Sequence, residues 1–199
     1  MMEIRSYKGK IPLGDYFEKV REFHGFLAPG VVLGGFMVDW ALEIMEPCEI
    51  LDAVVETRKC LPDAVQLLTK CSIGNGWLKI LDWGILAVTL YDKRSHVGAR
   101  VHIDMHKSKE FPLVKAWAMK EKSRDQAPLE PLIDEMVRAG RDILSVQKVT
   151  IEGVLQKLSP YGDPVICSRC GEGFRFGSGG VCQRCLEPFF NVDENPASP

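Results

Sequence analysis

The pattern of apolar and polar positions predicts one strongly buried helix early in the chain. Within residues 31–46 the charged positions are Asp39, Glu43 and Glu46, spaced four and three apart, so they fall on one narrow helical stripe. Every other residue of this segment is apolar or glycine, which is typical of a helix buried on most of its circumference. The adjacent Gly34–Gly35 predicts that another backbone approaches closely. We therefore expect a central helix in one core domain.

A loop precedes this helix. Pro29 has no amide hydrogen and a fixed φ, and Gly25 and Gly30 accept backbone angles that other residues avoid. The loop therefore holds His24 near the start of the central helix. A single histidine is more often a hydrogen-bonded structural residue than a metal ligand or a base, so both interpretations stay open for this residue.

The rest of the core pattern predicts a mixture of helices and strands. Apolar residues at helical spacing favour helices, and runs of β-branched and aromatic residues favour strands. The predicted helices are Leu13–Phe23, a helix that starts at Leu61–Asp63 and continues over Ala64–Thr69, Phe111–Lys122 and Leu129–Ala139; the predicted strands are Ala53–Thr57, Trp77–Leu81, Ile85–Tyr91, Ala99–Ile103 and Val146–Ile151. The three strands between residues 77 and 103 predict an antiparallel meander. The expected class is α+β with a mainly antiparallel sheet.

Composition sets limits on the class of protein. The 199 residues, 46% hydrophobic and 26% charged, suit one main globular domain with a small appendage. The net charge of −2 argues against a protein whose main task is neutralising phosphates. The N-terminal segment has no apolar signal region, and the most apolar helix is short and carries three carboxylates, so we expect a cytoplasmic protein without a membrane span.

The composition changes near the linker that we predict at Ser159–Pro164. The core domain is therefore expected over residues 1–160. Residues 161–199 are rich in cysteine and glycine and end in a polar tail, Asn191–Pro199. We expect them to form a small separate unit.

Four cysteines in two pairs form the most specific motif of the chain. Cys167 and Cys170 are separated by two residues, Cys182 and Cys185 repeat that spacing, and eleven residues separate the pairs. Each spacing lets a tight turn direct two sulfurs at one metal, so the four predict a tetrahedral thiolate site for Zn²⁺. An iron site is the alternative. The segment between the pairs is too short to fold by apolar burial, so folding should be coupled to metal binding.

This zinc ribbon is expected to be structural or a docking surface. Four cysteine ligands leave no open coordination position, so catalysis at the metal is not expected. Nucleic-acid binding is also not favoured, because residues 165–199 carry three basic side chains against four acidic ones.

Cys60 and His24 are the candidate reactive residues of the core. Cys60 lies at a predicted helix N-terminus, where free amides and the helix dipole favour a thiolate, although a small buried hydrophobic role is about equally expected. Cys71 lies at the opposite end of that helix and ranks lower, and Cys48 shows no feature that suggests a function.

Several other polar residues are weaker candidates. Glu56 and Asp63 flank Cys60 in sequence and can orient a ligand or act as acid and base. His102 and His106, on either side of Asp104, can bind a metal, but exposed histidines near a strand end are commoner. Asn75, between two glycines, is either a turn residue or a hydrogen-bonding partner of a substrate, and the turn interpretation is favoured.

Several segments taken in order resemble the FmdE-like family, which is named after the E component of formylmethanofuran dehydrogenase. They are Phe23–Gly25 with Pro29–Gly30 and Leu33–Gly34, Cys60–Ala64 with Gln66, Gly74–Gly76, and the C-terminal cysteine ribbon. The resemblance implies an α+β core followed by a zinc ribbon, assembled as a homodimer. It also implies a small cleft where the histidine loop meets the helix-start cysteine, and an association with a molybdenum or tungsten enzyme that handles one-carbon units on methanofuran.

The sequence departs from this family at two positions. Relatives commonly carry a second histidine where this chain has Phe26, and often a cysteine where it has Ala28. Two potential ligands are therefore missing, and a metal in the core would depend on His24, Cys60 and further neighbours.

Two classes of function follow from these observations. The first is a zinc-binding accessory protein, whose ribbon docks on a partner and whose core binds a metal or small ligand near His24 and Cys60. The second is an enzyme that uses a Cys60 thiolate or a metal bound by His24 on a small substrate. A nucleic-acid or protein docking module built on the ribbon is a third, weaker alternative.

Overall fold

The computed structural model describes residues 2–48, 50–120, 128–151, 163–175 and 180–187. The chain divides into two compact units, Met1–Ile151 and Glu152–Pro199. The predicted boundary after residue 160, most of the linker predicted at 159–164, and the polar tail over 191–199 fall outside the described residues, so these remain predictions.

The first unit combines five helices with seven strands among its described residues. The helices are α1 (Leu13–His24), α2 (Pro29–Met45), α3 (Leu61–Leu68), α4 (Pro112–Ala118) and α5 (Leu129–Ala139), with a 3₁₀ turn at Lys107–Glu110. The strands are β1 (Glu3–Ser6), β2 (Gly9–Pro12), β3 (Leu51–Val55), β4 (Leu78–Ile80), β5 (Ala87–Asp92), β6 (Val97–Ile103) and β7 (Leu144–Thr150). The predicted helices and strands are confirmed with shifted ends, and residues 121 and 122 of one predicted helix lie outside the description.

The main sheet has five strands in the order β4-β3-β5-β6-β7. Strand β3 pairs antiparallel with β5, β5 with β6, and β6 with β7, whereas β3 and β4 are parallel. The α+β class with a mainly antiparallel sheet is therefore confirmed. The predicted meander is wrong at β4, because β3 lies between β4 and β5. Helix α3 provides the long crossover that a parallel pair requires.

The predicted central helix is confirmed as α2. It packs on β1, α1, α3 and α5 and on strands β5 and β6 of the sheet. Twelve of its residues are buried, including Asp39 of the polar stripe. Burial on nearly all sides explains why so much of this segment is apolar, since each side of the helix meets another element.

The polar stripe of α2 is neutralised by two distant arginines. The backbone amide of Arg5 donates to Asp39 Oδ1 at 2.8 Å, and its guanidinium lies 2.7 Å from Glu43. Arg141, which follows α5, also donates to Asp39 and to Glu43. Hydrogen bonding to Arg141 lowers the pKa of Glu43. Arg5 belongs to the β1–β2 hairpin, which the sequence analysis missed because its strands are short and mostly polar.

The glycine pair of α2 allows two other helices to approach closely. A Cβ at Gly34 would lie 2.8 Å from the Cβ of Ala64 in α3. A Cβ at Gly35 would lie 2.5 Å from a ring carbon of Tyr16 in α1. The fully buried Tyr16 hydroxyl donates to the carbonyl of Val31 at 2.8 Å, which fixes the ring. The close approach predicted for this pair is therefore confirmed.

The second unit is small within its described residues. It contains a short antiparallel pair, β8 (Val165–Ile166) and β9 (Gly173–Phe174), and one helical turn, α6 (Gln183–Leu186). No helix in the described part of either unit is long and apolar enough to cross a membrane.

We predict opposite effects for alanine at two glycines of the helical layer. Gly35→Ala should lower the free energy of unfolding by about 1–3 kcal/mol, because the new methyl overlaps the fixed Tyr16 ring. Gly14→Ala in α1 should raise it by about 0.5–1 kcal/mol, since nothing lies within 4 Å of that position and alanine favours helix. Urea denaturation of both variants measures the two changes, and equal shifts would contradict the packing described here.

Candidate functional site

Three helix ends meet beside the loop that follows α1. His24 is the last residue of α1, and Gly25, with a φ of 91°, ends the helix directly after it. The Nδ1 atom of His24 lies 2.6 Å from Oδ2 of Asp63, in the first turn of α3. The two side chains are 19% and 28% exposed, so the pair is mostly shielded yet reachable from solvent.

The Asp63 carboxylate fixes both the tautomer and the orientation of the imidazole. A carboxylate accepts hydrogen bonds, so the proton of a neutral His24 ring lies on Nδ1 and Nε2 carries the lone pair. Carboxylates hold metal-binding and proton-accepting histidines in this way. The sequence analysis named both residues but did not pair them, because 39 positions separate them.

Cys60 adopts a strained backbone conformation at the start of α3. Its φ of 59° and ψ of −54° are unusual for a residue with a side chain. The amide of Leu61 donates to the carbonyl of Lys59 at 2.6 Å, which closes a three-residue γ-turn around Cys60. Strain of this kind costs on the order of 1–3 kcal/mol and often occurs at functional positions.

Close contact with the histidine loop holds Cys60 in place. A Cβ at Gly30 would lie 2.7 Å from the Cβ of Cys60 and 3.0 Å from its sulfur, so only glycine fits there without a shift. The same position lies 3.6 Å from the ring of Trp117 in α4. Trp117 was not identified from the sequence, since a tryptophan in an apolar helix indicates only packing.

The other carboxylate near Cys60 in sequence serves elsewhere. Glu56 accepts two hydrogen bonds from Arg100, at 2.6 and 2.7 Å, and is buried. Cys71 is also buried, and burial raises the pKa of its thiol to about 11. The thiol of Cys48 donates to Asp92 at 3.2 Å. The low rank that the sequence gave to Cys71 agrees with its burial.

The remaining polar candidates make local contacts. Nδ1 of His102 lies 2.9 Å from the carbonyl of Ile103, and Asp104 accepts hydrogen bonds from Ser145 and from the amide of His106. Asn75 bonds to the backbone of residues 70, 72 and 77, as the turn interpretation predicted.

The ribbon cysteines form a compact group of sulfurs. Within the described part of the chain they are the one group of three or more His, Cys, Asp or Glu ligands that can hold a metal, with all four sulfurs within 4.8 Å of one another. The sulfurs of Cys167 and Cys185 are 3.9 Å apart, and those of Cys170 and Cys182 are 3.7 Å apart. A tetrahedron with metal–sulfur bonds of about 2.3 Å has edges of roughly 3.8 Å. The donor set therefore fits a tetrahedral metal ion.

The electrostatics of this group also favour a cation. Amide hydrogen bonds, first that from Cys182 at 3.3 Å, lower the pKa of the Cys167 thiol to about 6. Burial beside the other sulfurs raises the pKa of Cys185 to about 12. Because the sulfurs oppose one another's ionisation, four thiolates require a positive ion between them. The turn glycine expected after the first pair is Gly171, with a φ of 75°.

Comparison with known proteins identifies relatives of the whole core. Residues 23–151 match the family model described as FmdE, molybdenum formylmethanofuran dehydrogenase operon. A solved structure, that of a tungsten formylmethanofuran dehydrogenase FmdE-like protein from Syntrophus aciditrophicus, is 37% identical with a TM-score of 0.79, over 95% of this chain and 100% of that one. A curated protein of Archaeoglobus fulgidus named "Probable S-adenosyl-L-methionine-binding protein" is 26% identical over 87% of this chain. The chain spans about half, 53%, of that relative's length.

The strain at Cys60 leads to a prediction about two substitutions. Cys60→Gly should be more stable than Cys60→Ala by about 1 kcal/mol, because glycine adopts a positive φ without steric cost. The matched pair at Glu18, an exposed position inside α1, should show the reverse order by about 1 kcal/mol. Urea denaturation of the four variants measures both differences. If alanine is the more stable residue at both positions, the backbone at Cys60 is not strained.

Proposed function

The chain belongs to the FmdE family, and from this premise we propose that it is a zinc-binding accessory protein with a separate ligand site in its core. The ribbon holds one zinc ion with Cys167, Cys170, Cys182 and Cys185. The core offers the imidazole of His24 to a metal ion or a small ligand. Assembly as a homodimer, a cytoplasmic location and docking of the ribbon on a molybdenum or tungsten enzyme are parts of the same proposal.

The arrangement of the four sulfurs is the observation that carries this proposal. All four lie within 4.8 Å of one another, with edges close to those of a zinc–thiolate tetrahedron. Zinc is favoured over iron because closed four-cysteine ribbons are typical structural zinc sites. A closed site does not open a position to substrate, which supports a structural or docking role for this metal.

The core site supports a second, distinct binding function. The Nε2 atom of His24 carries the lone pair, and Asp63 holds the ring from the other side at 2.6 Å. Cys60 begins the helix that carries Asp63, so a thiol and an imidazole belong to the same corner of the fold. This corner suits a metal ion bound together with its own ligands, or a small molecule with an electrophilic or acidic group.

A sulfonium nucleoside is a second candidate for the core ligand. The printed name of the Archaeoglobus fulgidus relative supports it, since that match extends over 87% of this chain. The relative is about twice as long, so its ligand site need not lie in the shared part. S-adenosylmethionine is therefore the first small molecule to test.

Zinc content of the full-length protein tests the ribbon. We expect about one zinc ion per chain in the parent protein, and its loss in the double variant Cys182→Ser/Cys185→Ser, because two thiolates do not complete a tetrahedral site. Cys48→Ser, which removes a core cysteine, is the matched control and should keep its zinc. Elemental analysis measures all three. Zinc retained by the double variant, or absent from the parent protein, would refute the ribbon site.

Calorimetric titration tests the core. S-adenosylmethionine and, separately, Zn²⁺ are added to the double ribbon variant and to the same protein carrying His24→Ala and Cys60→Ser. Binding of either probe should fall at least tenfold on loss of the imidazole and thiol, because these groups provide the lone pairs of the site. Gln66→Ala, on α3 outside the His24–Asp63 pair, is the control. Equal affinities in all proteins would show that this corner does not bind either probe.

A further inference from the structure

The two cysteine pairs of the ribbon share an arginine at the same position. The first pair reads Cys-Ser-Arg-Cys over residues 167–170, and the second reads Cys-Gln-Arg-Cys over residues 182–185. Arg169 and Arg184 therefore each precede the second cysteine of their turn. This repeat is not required by the metal, since arginine is not a zinc ligand.

Arg169 extends from the first cysteine turn to the second. Its Nη1 atom donates to the backbone carbonyl of Cys185 at 3.0 Å. That carbonyl belongs to the last cysteine of the other pair. The contact therefore ties the two metal-binding turns to each other by a charged donor.

Arg184 makes the reciprocal connection. Its guanidinium hydrogen bonds to the sulfur of Cys170, and this bond raises the pKa of Arg184. The Nη2 atom also lies 3.0 Å from Oε1 of Glu172, two residues after the first pair. The side chain is only 28% exposed, whereas that of Glu172 is 62% exposed. Arg184 thus places a partly shielded positive charge directly on a metal-binding sulfur.

The charge of a tetrathiolate site gives this pair of arginines a role. A divalent ion with four thiolates carries a net charge of about −2, and the repulsion among the sulfurs opposes metal retention. A guanidinium is always charged and donates in a fixed planar geometry, so it stabilises thiolates without competing as a ligand. Hydrogen bonds around the ligands typically change metal affinity by about 10–100-fold.

We propose that Arg169 and Arg184 are positioning residues that join the two cysteine turns and neutralise the thiolate charge, so that the ribbon retains its metal rather than transferring it. The inference rests on the proposed function, because it requires the ribbon to bind a metal. It also assigns the ribbon a permanent structural ion, with metal delivery to a partner excluded as its task. Arg184 is the more important residue, since it contacts a sulfur, while Arg169 contacts a carbonyl.

Titration with Co²⁺ alone tests this inference on the full-length metal-free protein. The thiolate-to-cobalt absorption band measures affinity, and its energy reports the hydrogen bonding of the sulfurs. Arg184→Gln should bind Co²⁺ about 10–100-fold more weakly and shift the band, and Arg169→Gln should lose less. Arg175→Gln is the control, because Arg175 is an exposed arginine of the same unit that makes no ion pair or side-chain hydrogen bond with other described residues. Its affinity should equal that of the parent protein.

A conservative variant separates charge from folding. Arg184→Lys keeps the positive charge and should recover most of the affinity that Arg184→Gln loses. Absence of this recovery, or equal affinities in the parent, Arg184→Gln and Arg175→Gln proteins, would overturn the inference. The band intensity at saturating Co²⁺ should be the same in all variants, which shows that each still forms the four-cysteine site. A parent protein that binds no Co²⁺ would instead refute the metal site of the proposed function.

Zinc release gives an independent readout of retention. The zinc-loaded proteins are mixed with a chromogenic chelator, and the rate of transfer is followed by absorbance. Transfer from Arg184→Gln should be about tenfold faster than from the parent or from Arg175→Gln, in line with its weaker binding. Equal transfer rates in the three proteins would contradict a role of Arg184 in retention.

Discussion

The burial of α2 is the constraint on which the first unit depends. A helix of seventeen residues with twelve buried must be covered on almost every side, and here strands β5 and β6 and helices α1, α3 and α5 provide that cover. Apolar burial contributes roughly 25 cal/mol per Å², so this helix accounts for much of the core. The one polar stripe left, Asp39 and Glu43, is matched by Arg5 and Arg141. A buried carboxylate without those cations would be strongly destabilising.

The same constraint positions the candidate core site. Because glycines let α3 and α1 approach α2 closely, the end of α1 and the starts of α2 and α3 converge. His24, Asp63 and Cys60 are brought together by this packing, and no single motif contains them. Gly30 links the two functions of the corner, since its lack of a side chain makes room for Cys60. Packing and chemistry therefore place demands on the same few residues.

The second unit is organised by a different interaction. Its described residues form two short strands and one helical turn, which bury little apolar surface, so metal–thiolate bonds must replace a hydrophobic core. Electrostatics then becomes the main problem, because four thiolates repel one another. The reciprocal arginines address that problem with the side chains of the cysteine turns themselves. The two units thus obtain stability by burial in one case and by charge compensation in the other.

The sequence by itself determined the features that depend on local spacing. Periodicity identified the central helix, and the spacing of four cysteines identified the metal group with its ligands. Family resemblance identified the class of protein. Only the tertiary structure decided the long-range partners: His24 with Asp63, 39 positions apart, Asp39 with Arg141, 102 positions apart, and β4 beside β3. The physical reason is that helix and turn preferences act over a few residues, whereas these contacts form only when separate elements pack around one buried helix.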